Sequence, residues 1–98
     1  MLFCILEVEN KPVGQIRLSP EESGLSISYS VALDQRGKGY GAKLLWLMEN
    51  QVALSKGEHI LIGEVKKDNI GSQKAFERLG YIRKDEGDFF KYKKVVGK

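Results

Sequence analysis

Leu25-Ser26-Ile27-Ser28-Tyr29-Ser30-Val31, followed by Arg36-Gly37-Lys38-Gly39-Tyr40-Gly41-Ala42 and then Leu44-Leu45-Trp46-Leu47-Met48, is the stretch on which the fold turns. In its first part apolar residues alternate with serines, the two-residue period of a strand buried on one face. In its last part Leu44, Leu45, Leu47 and Met48 open a broad apolar face at helical spacing that continues through Val52 and Leu54, and Gly57 supplies a stop. Between strand and helix lies a loop whose glycines are flanked by Arg36 and Lys38. The first N–H groups of the helix have no intrahelical partner, glycine lets backbone approach a ligand closely, and the helix dipole adds partial positive charge. This chemistry predicts an anion site for a phosphate group and leaves open which phosphate.

Upstream, Phe3 to Val8 is rich in β-formers, Glu9-Asn10-Lys11-Pro12 reads as a turn, and Val13 to Leu18 alternates, so a hairpin is expected. Pro20 and Gly24 read as breakers before the serine-rich strand. Downstream, His59 to Val65 reads as a buried strand, and Asn69 caps a second helix that carries Ala75, Phe76 and Leu79 and stops at Gly80. Tyr81 to Lys84 and Phe89 to Val95 complete the order as two strands around a turn at Glu86-Gly87-Asp88. The strand-helix-strand crossover makes the strands around Tyr29 and Ile62 parallel neighbours. The fold class is therefore α+β, a mixed, mainly antiparallel sheet with a central parallel pair and two helices, in the order β-β-β-α-β-α-β-β.

The length of 98 residues, 42% of them apolar, suits one domain over residues 1–98. No apolar run approaches the ~20 residues of a membrane-spanning helix, and Glu7 and Glu9 interrupt the start too soon for a signal peptide, so a cytoplasmic protein without a membrane partner is expected. Cys4 is the single cysteine, has no intramolecular disulfide partner and reads as a buried thiol; no metal site is expected. A net charge of +3, spread along the chain, is weak support for a nucleic-acid partner, and none is expected; a phosphorylated small molecule suits it equally.

A P-loop requires Gly-x-x-x-x-Gly-Lys-Ser/Thr, and no Gly-Lys-Ser/Thr occurs in the chain. Gly37-x-Gly39-x-x-Ala42 formally matches a dinucleotide fingerprint, yet the acid roughly 20 residues on, Glu58, precedes the next strand instead of ending it. A ligand-free glycine turn is the bland alternative, and it leaves the flanking cations without a purpose.

Val31-Ala32-Leu33-Asp34-Gln35-Arg36-Gly37-Lys38-Gly39-Tyr40-Gly41 resembles the acetyl-CoA motif of the GNAT superfamily, Arg/Gln-x-x-Gly-x-Gly/Ala, with Arg36, Gly39 and Gly41 in the defining places. Asn69 to Tyr81 is similar to that family's Asn-x-x-Ser/Ala-x-x-x-Tyr/Phe-x-x-x-Gly-Phe/Tyr segment, and the likeness extends from about Phe3 to Val95. The resemblance implies acetyl-CoA as co-substrate and transfer of its acetyl group to a primary amine of a small molecule, an amino sugar or a protein N-terminus. It implies that backbone groups of Tyr29 and Val31 meet the pantetheine arm, and that amides of Gly37, Lys38, Gly39, Tyr40, Gly41 and Ala42, with Arg36, hold the pyrophosphate. Asn69, Ser72 and Phe76 would line the arm, although Asn69 also reads as a plain helix cap. Glu64 matches the position of a catalytic glutamate in the related protein-N-terminal alanine acetyltransferases, and equally reads as a strand-end carboxylate paired with Lys66.

Two departures stand out. Phe76 occupies the place where many members carry a tyrosine that protonates the leaving thiolate, which leaves water, Tyr81 or Tyr92 for that task. Family members also begin with a strand and two helices before the hairpin. The expectations are a fragment of a longer protein, a short form whose cleft a second copy completes as a homodimer, or a module that binds coenzyme A without catalysis.

Overall fold

The computed structural model describes residues 2–8, 11–31 and 39–97, with side chains from 14–30 and 39–97. Its elements are β1 (Leu2–Val8), β2 (Lys11–Glu21), β3 (Gly24–Val31), α1 (Tyr40–Ala53), β4 (Glu58–Lys66), α2 (Ile70–Arg78), β5 (Ile82–Asp85) and β6 (Phe89–Gly97). They form one six-stranded sheet in the order β1-β2-β3-β4-β6-β5. Only β3 and β4 run parallel, in the register Leu25↔Leu61, Ser26↔Ile62, Ile27↔Gly63; the other neighbours are antiparallel. The element order and the parallel pair agree with the sequence reading.

Pro20 departs from it. Instead of breaking the chain it lies inside β2, opposite Leu25, and the hairpin runs on to Glu21↔Gly24. Among the described residues the pairing of β1 with β2 reaches only Leu2↔Leu18, and in the β3 ladder Pro20 stands beside the turn-flanking pair Glu21↔Gly24 with its nitrogen facing away, so its missing N–H costs no ladder bond there. Pro12 is accommodated next to a register shift between Leu6 and Glu7, a bulge that takes up one extra residue of β2.

Both helices pack on one face of the sheet. Leu44, Leu45, Met48 and Val52 of α1 and Ala75 and Phe76 of α2 share a core with Ile16, Leu18, Ile27, Leu61, Val65, Tyr81 and Tyr92. Full burial of each large aliphatic side chain contributes about 1.5–3 kcal/mol. By strand alternation Ile62 and Glu64 lie on the opposite face, where Ile60, Ile82 and Val95 are exposed. No helix of the described residues is long and apolar enough to cross a membrane.

Two core tyrosines make the fold sensitive to alkali. Burial, then the Glu77 carboxylate that accepts its hydrogen bond at 2.8 Å, push the Tyr92 hydroxyl up to about 12. Burial, then the charge of Glu49, hold Tyr81 higher still above the ordinary 10.0. A phenol whose pKa is raised on folding contributes stability below its unfolded value and loses it as pH rises toward the folded value. Between pH 8 and about pH 10 the tyrosines should thus leave stability flat, and above it stability should fall by about 1.4 kcal/mol per pH unit for each tyrosine. Urea midpoints between pH 8 and 11.5 test this, with a shallower fall expected for Tyr92→Phe.

Candidate functional site

The decisive geometry is a divergence of two strands. β3 remains paired with β2 as far as Val31, and β4 remains paired with β6 as far as Lys66. Between β3 and β4 the pairing stops at Ile27↔Gly63. Backbone groups alternate sides along a strand, so those of Ser28 and Ser30 face β2, while those of Tyr29 face β4 beyond the last pair and have no β4 partner; unpaired N–H and C=O groups are strong sites for a ligand to engage. Glu64 is the first residue of β4 beyond the last pair, so it stands at the apex of the wedge, exposed, on the face opposite the helices.

On the helix side the wedge opens into a cleft of ≈ 990 Å³ between the start of α1 and the length of α2. Tyr29, Ser30, Gly39, Tyr40, Gly41, Ala42, Asn69 and Ser72 all line it, so the structure brings these sequence-assigned residues together. Gly39 caps α1 with φ 80° and ψ 10°, a left-handed conformation that glycine adopts without strain. Gly41 keeps the floor low: a Cβ there would stand 3.3 Å from Tyr29 Cε2 and 3.7 Å from the Ala75 methyl. Arg36, Gly37 and Lys38 lie outside the described residues, and of Val31 only the backbone is described.

Asn69 caps α2, its Oδ1 accepting from the Ser72 N–H at 3.2 Å. Such a cap contributes about 1 kcal/mol. Gln73, buried behind it, donates from Nε2 to the carbonyls of Lys66 and Lys67 at 3.2 and 2.9 Å and ties the β4–α2 connection to the helix. The Tyr29 hydroxyl donates to Ser72 Oγ at 2.7 Å and bridges β3 to α2 across the cleft floor. Burial raises the Tyr29 pKa from 10.0 against the opposing pull of that bond, so the phenol stays protonated and keeps donating at neutral pH.

Phe76 does not line the cleft. Its ring is 1% exposed, edge-on to Tyr29 and Tyr81 with centroids at 5.9 and 4.9 Å and stacked on Tyr92 at 5.1 Å. It lies directly over Gly63, in the core beneath the wedge. The side chains of Tyr81 and Tyr92 are buried and are not among the residues lining the cleft, Tyr92 engaged with Glu77 and Tyr81 without a hydrogen-bond partner among the described residues. Neither hydroxyl enters the cleft.

Lys66, Asp68, Lys74 and Arg78 also line the cleft and had not been singled out in the sequence. Their signal was present in part: Gly71, Lys74, Ala75 and Arg78 fall at i, i+3, i+4 and i+7, one stripe of a helix. Among the described residues no group of three or more His, Cys, Asp or Glu could hold a metal ion.

Comparison with known proteins agrees with this geometry. The family model for the acetyltransferase (GNAT) family matches residues 1–81. Among solved structures, a ribosomal-protein-alanine N-acetyltransferase from Brucella melitensis superposes with a TM-score of 0.80 at 22% identity, over 96% of this chain and 68% of the other. A phosphinothricin acetyltransferase from Sinorhizobium meliloti, solved in complex with AcCoA, gives 0.80 at 16% identity over 97% and 60%. Ard1 from Thermoplasma volcanium gives 0.79 at 17% identity over 96% and 70%. The chain thus spans 60–70% of the length of these structures. No curated protein matches the sequence. The splayed parallel strands supply the fold's opening and the family model covers the motifs on both its sides, so the chain belongs to the acetyltransferase (GNAT) family, whose chemistry is acyl transfer.

Proposed function

We propose that the protein moves an acetyl group from acetyl-CoA to a primary amine by direct transfer, in the cytoplasm. The observation that carries this reading is the wedge: a strand whose inner backbone groups are free of β4 from Tyr29 onward, opening on a cleft bordered by the N-termini of two helices. Backbone groups of Tyr29 and Val31 hold the pantetheine arm, and Asn69 and Ser72 flank it. Amides from Gly39 to Ala42, continuing the loop from Arg36, hold the pyrophosphate.

Glu64 takes a proton from the incoming ammonium, directly or through one water, from the face opposite the helices. The neutral nitrogen then attacks the thioester carbonyl carbon, the adduct collapses with cleavage of the C–S bond, the nitrogen gives its second proton to solvent, and the thiolate takes a proton from solvent, because Phe76 has none to give. The acceptor approaches Glu64 past the exposed ends of β4 and β6, a route open to small amines and to the N-terminus of a polypeptide.

Calorimetry with acetyl-CoA and CoA tests the binding half. Gly41→Leu, which fills the floor beside Tyr29, is expected to abolish binding. Glu64→Gln is expected to keep binding while kcat falls about 10²–10⁴-fold, the usual contribution of a positioned base. Absence of any heat with millimolar CoA would sink the reading. The buried position of Phe76 and the absence of Tyr81 and Tyr92 from the cleft lining favour a second reading, a module that binds coenzyme A without turnover. Release of free thiol with amines, amino sugars or peptide N-termini separates the two.

A further inference from the structure

Lys74 and Arg78 stand one helical turn apart on the cleft side of α2. Like charges at this spacing oppose helix formation, and among the described residues no carboxylate pairs with either. The acid nearest in sequence, Glu77, is committed elsewhere, to the Tyr92 hydroxyl at 2.8 Å and Arg83 at 3.5 Å. Asp68, the one acid among the described residues lining the cleft, precedes α2, roughly 15 Å along the axis from Arg78 at 1.5 Å per residue.

Arg78 lies in the last turn of α2, where the dipole favours a cation, but its guanidinium reaches across to α1. A Cβ on Gly39, the cap of α1, would stand 3.9 Å from Arg78 Nη1. The start of α1 is itself a positive end and holds no acid in its first turn. Two cations and a positive helix end thus share one region, an arrangement that is unfavourable until an anion enters it.

The pyrophosphate assigned to the α1 amides accounts for one anion. Coenzyme A carries a second, the phosphomonoester on its ribose, with about −1.5 to −2 charge at neutral pH. Resting on the coenzyme A reading above, we propose that Lys74 and Arg78 form the subsite for this 3′-phosphate and make the cleft selective for coenzyme A over dephospho-coenzyme A. Lys66, on the β4 side of the cleft, is left to the pyrophosphate and pantetheine end.

Titration of the full chain with CoA and with dephospho-CoA, at low and at physiological salt, tests the assignment. The unmodified protein is expected to bind CoA about tenfold or more tightly than dephospho-CoA, as charge-assisted phosphate contacts imply. In Lys74→Ala/Arg78→Ala that ratio should fall to near one, with dephospho-CoA affinity changed by less than about threefold and the circular dichroism unchanged. Equal binding of the two ligands by the unmodified protein overturns the proposal, as does a variant that weakens both ligands equally, which would place the cations on the pyrophosphate. In either case CoA still binds and the transferase reading stands. Failure of both ligands to bind the unmodified protein would instead remove the coenzyme A reading on which the subsite rests.

Discussion

Gly63→Leu is expected to leave no cooperatively folded protein in buffer at 25 °C. A Cβ at Gly63 would overlap Phe76 Cζ and stand 2.7 Å from Cε1, and leucine adds further carbons in the same direction. Phe76 has nowhere to go, being 1% exposed and enclosed by Tyr29, Tyr81 and Tyr92. Overpacking of this kind costs about 1–3 kcal/mol for modest insertions and more when neighbours cannot yield. A small domain has only about 5–15 kcal/mol in total, and one of this size sits toward the lower end. Gly63→Ala should therefore fold but lose about 2–3 kcal/mol, measured by urea denaturation followed by circular dichroism. Combining Gly63→Ala with Phe76→Leu should cost clearly less than the sum of the two single changes, because the cavity made by one receives the methyl of the other. Simple additivity would show that the ring over Gly63 is not the obstacle.

The second large effect concerns an ion pair on the helix side of the sheet. Lys94 Nζ on β6 donates to Glu49 Oε1 of α1 at 2.8 Å and to the Leu79 carbonyl at 2.7 Å, joining β6, α1 and the end of α2. Its ammonium also lies 5.6 Å from the centre of the Tyr81 ring. The Glu49 side chain is only 11% exposed, and its Oε2 has no partner among the described residues. Lys94→Met would leave this part-buried carboxylate without its cation, at a cost of about 1.5–3 kcal/mol, below that of breaking a fully buried pair and above that of an exposed one. Glu49→Leu/Lys94→Met removes both charges and should recover most of that loss, since a buried pair replaced by apolar groups is often neutral. Thermal melts of the single and double variants decide between this and a merely solvent-screened pair, for which the single change would cost under about 1 kcal/mol.

Both effects depend on contacts that no local pattern announces. The serine-alternating strand, the helix behind the glycine loop and the second helix capped by Asn69 were legible because their signals repeat within a few residues: period two, period 3.6 and a capping side chain. The glycines at 39 and 41 and the run from Asn69 to Tyr81 also pointed to the walls of the cleft, and Asn69 proved to cap its helix while facing it. Pro20 was misread because its tolerance depends on how β1 and β3 pair with β2, which is a property of neighbouring strands. Phe76 was placed on the cleft wall by its motif, whereas Gly63 opened room beneath the sheet's helix face for its ring to turn inward. Lys74 and Arg78 drew no assignment from the sequence, because their shared region exists only once α2 is set against the start of α1.

By itself the sequence determined the order of the elements, the parallel central pair and the two motifs that supply described residues to one cleft, because each is written in short-range spacing. Only the tertiary structure decided where the site opens. β3 is held by β2 to Val31 and β4 by β6 to Lys66, while the two strands part after Ile27 and Gly63. The balance of those long-range pairings leaves backbone unpaired in the middle of a sheet, places Glu64 at the apex, and brings Gly39 to Ala42 to one end of a cleft.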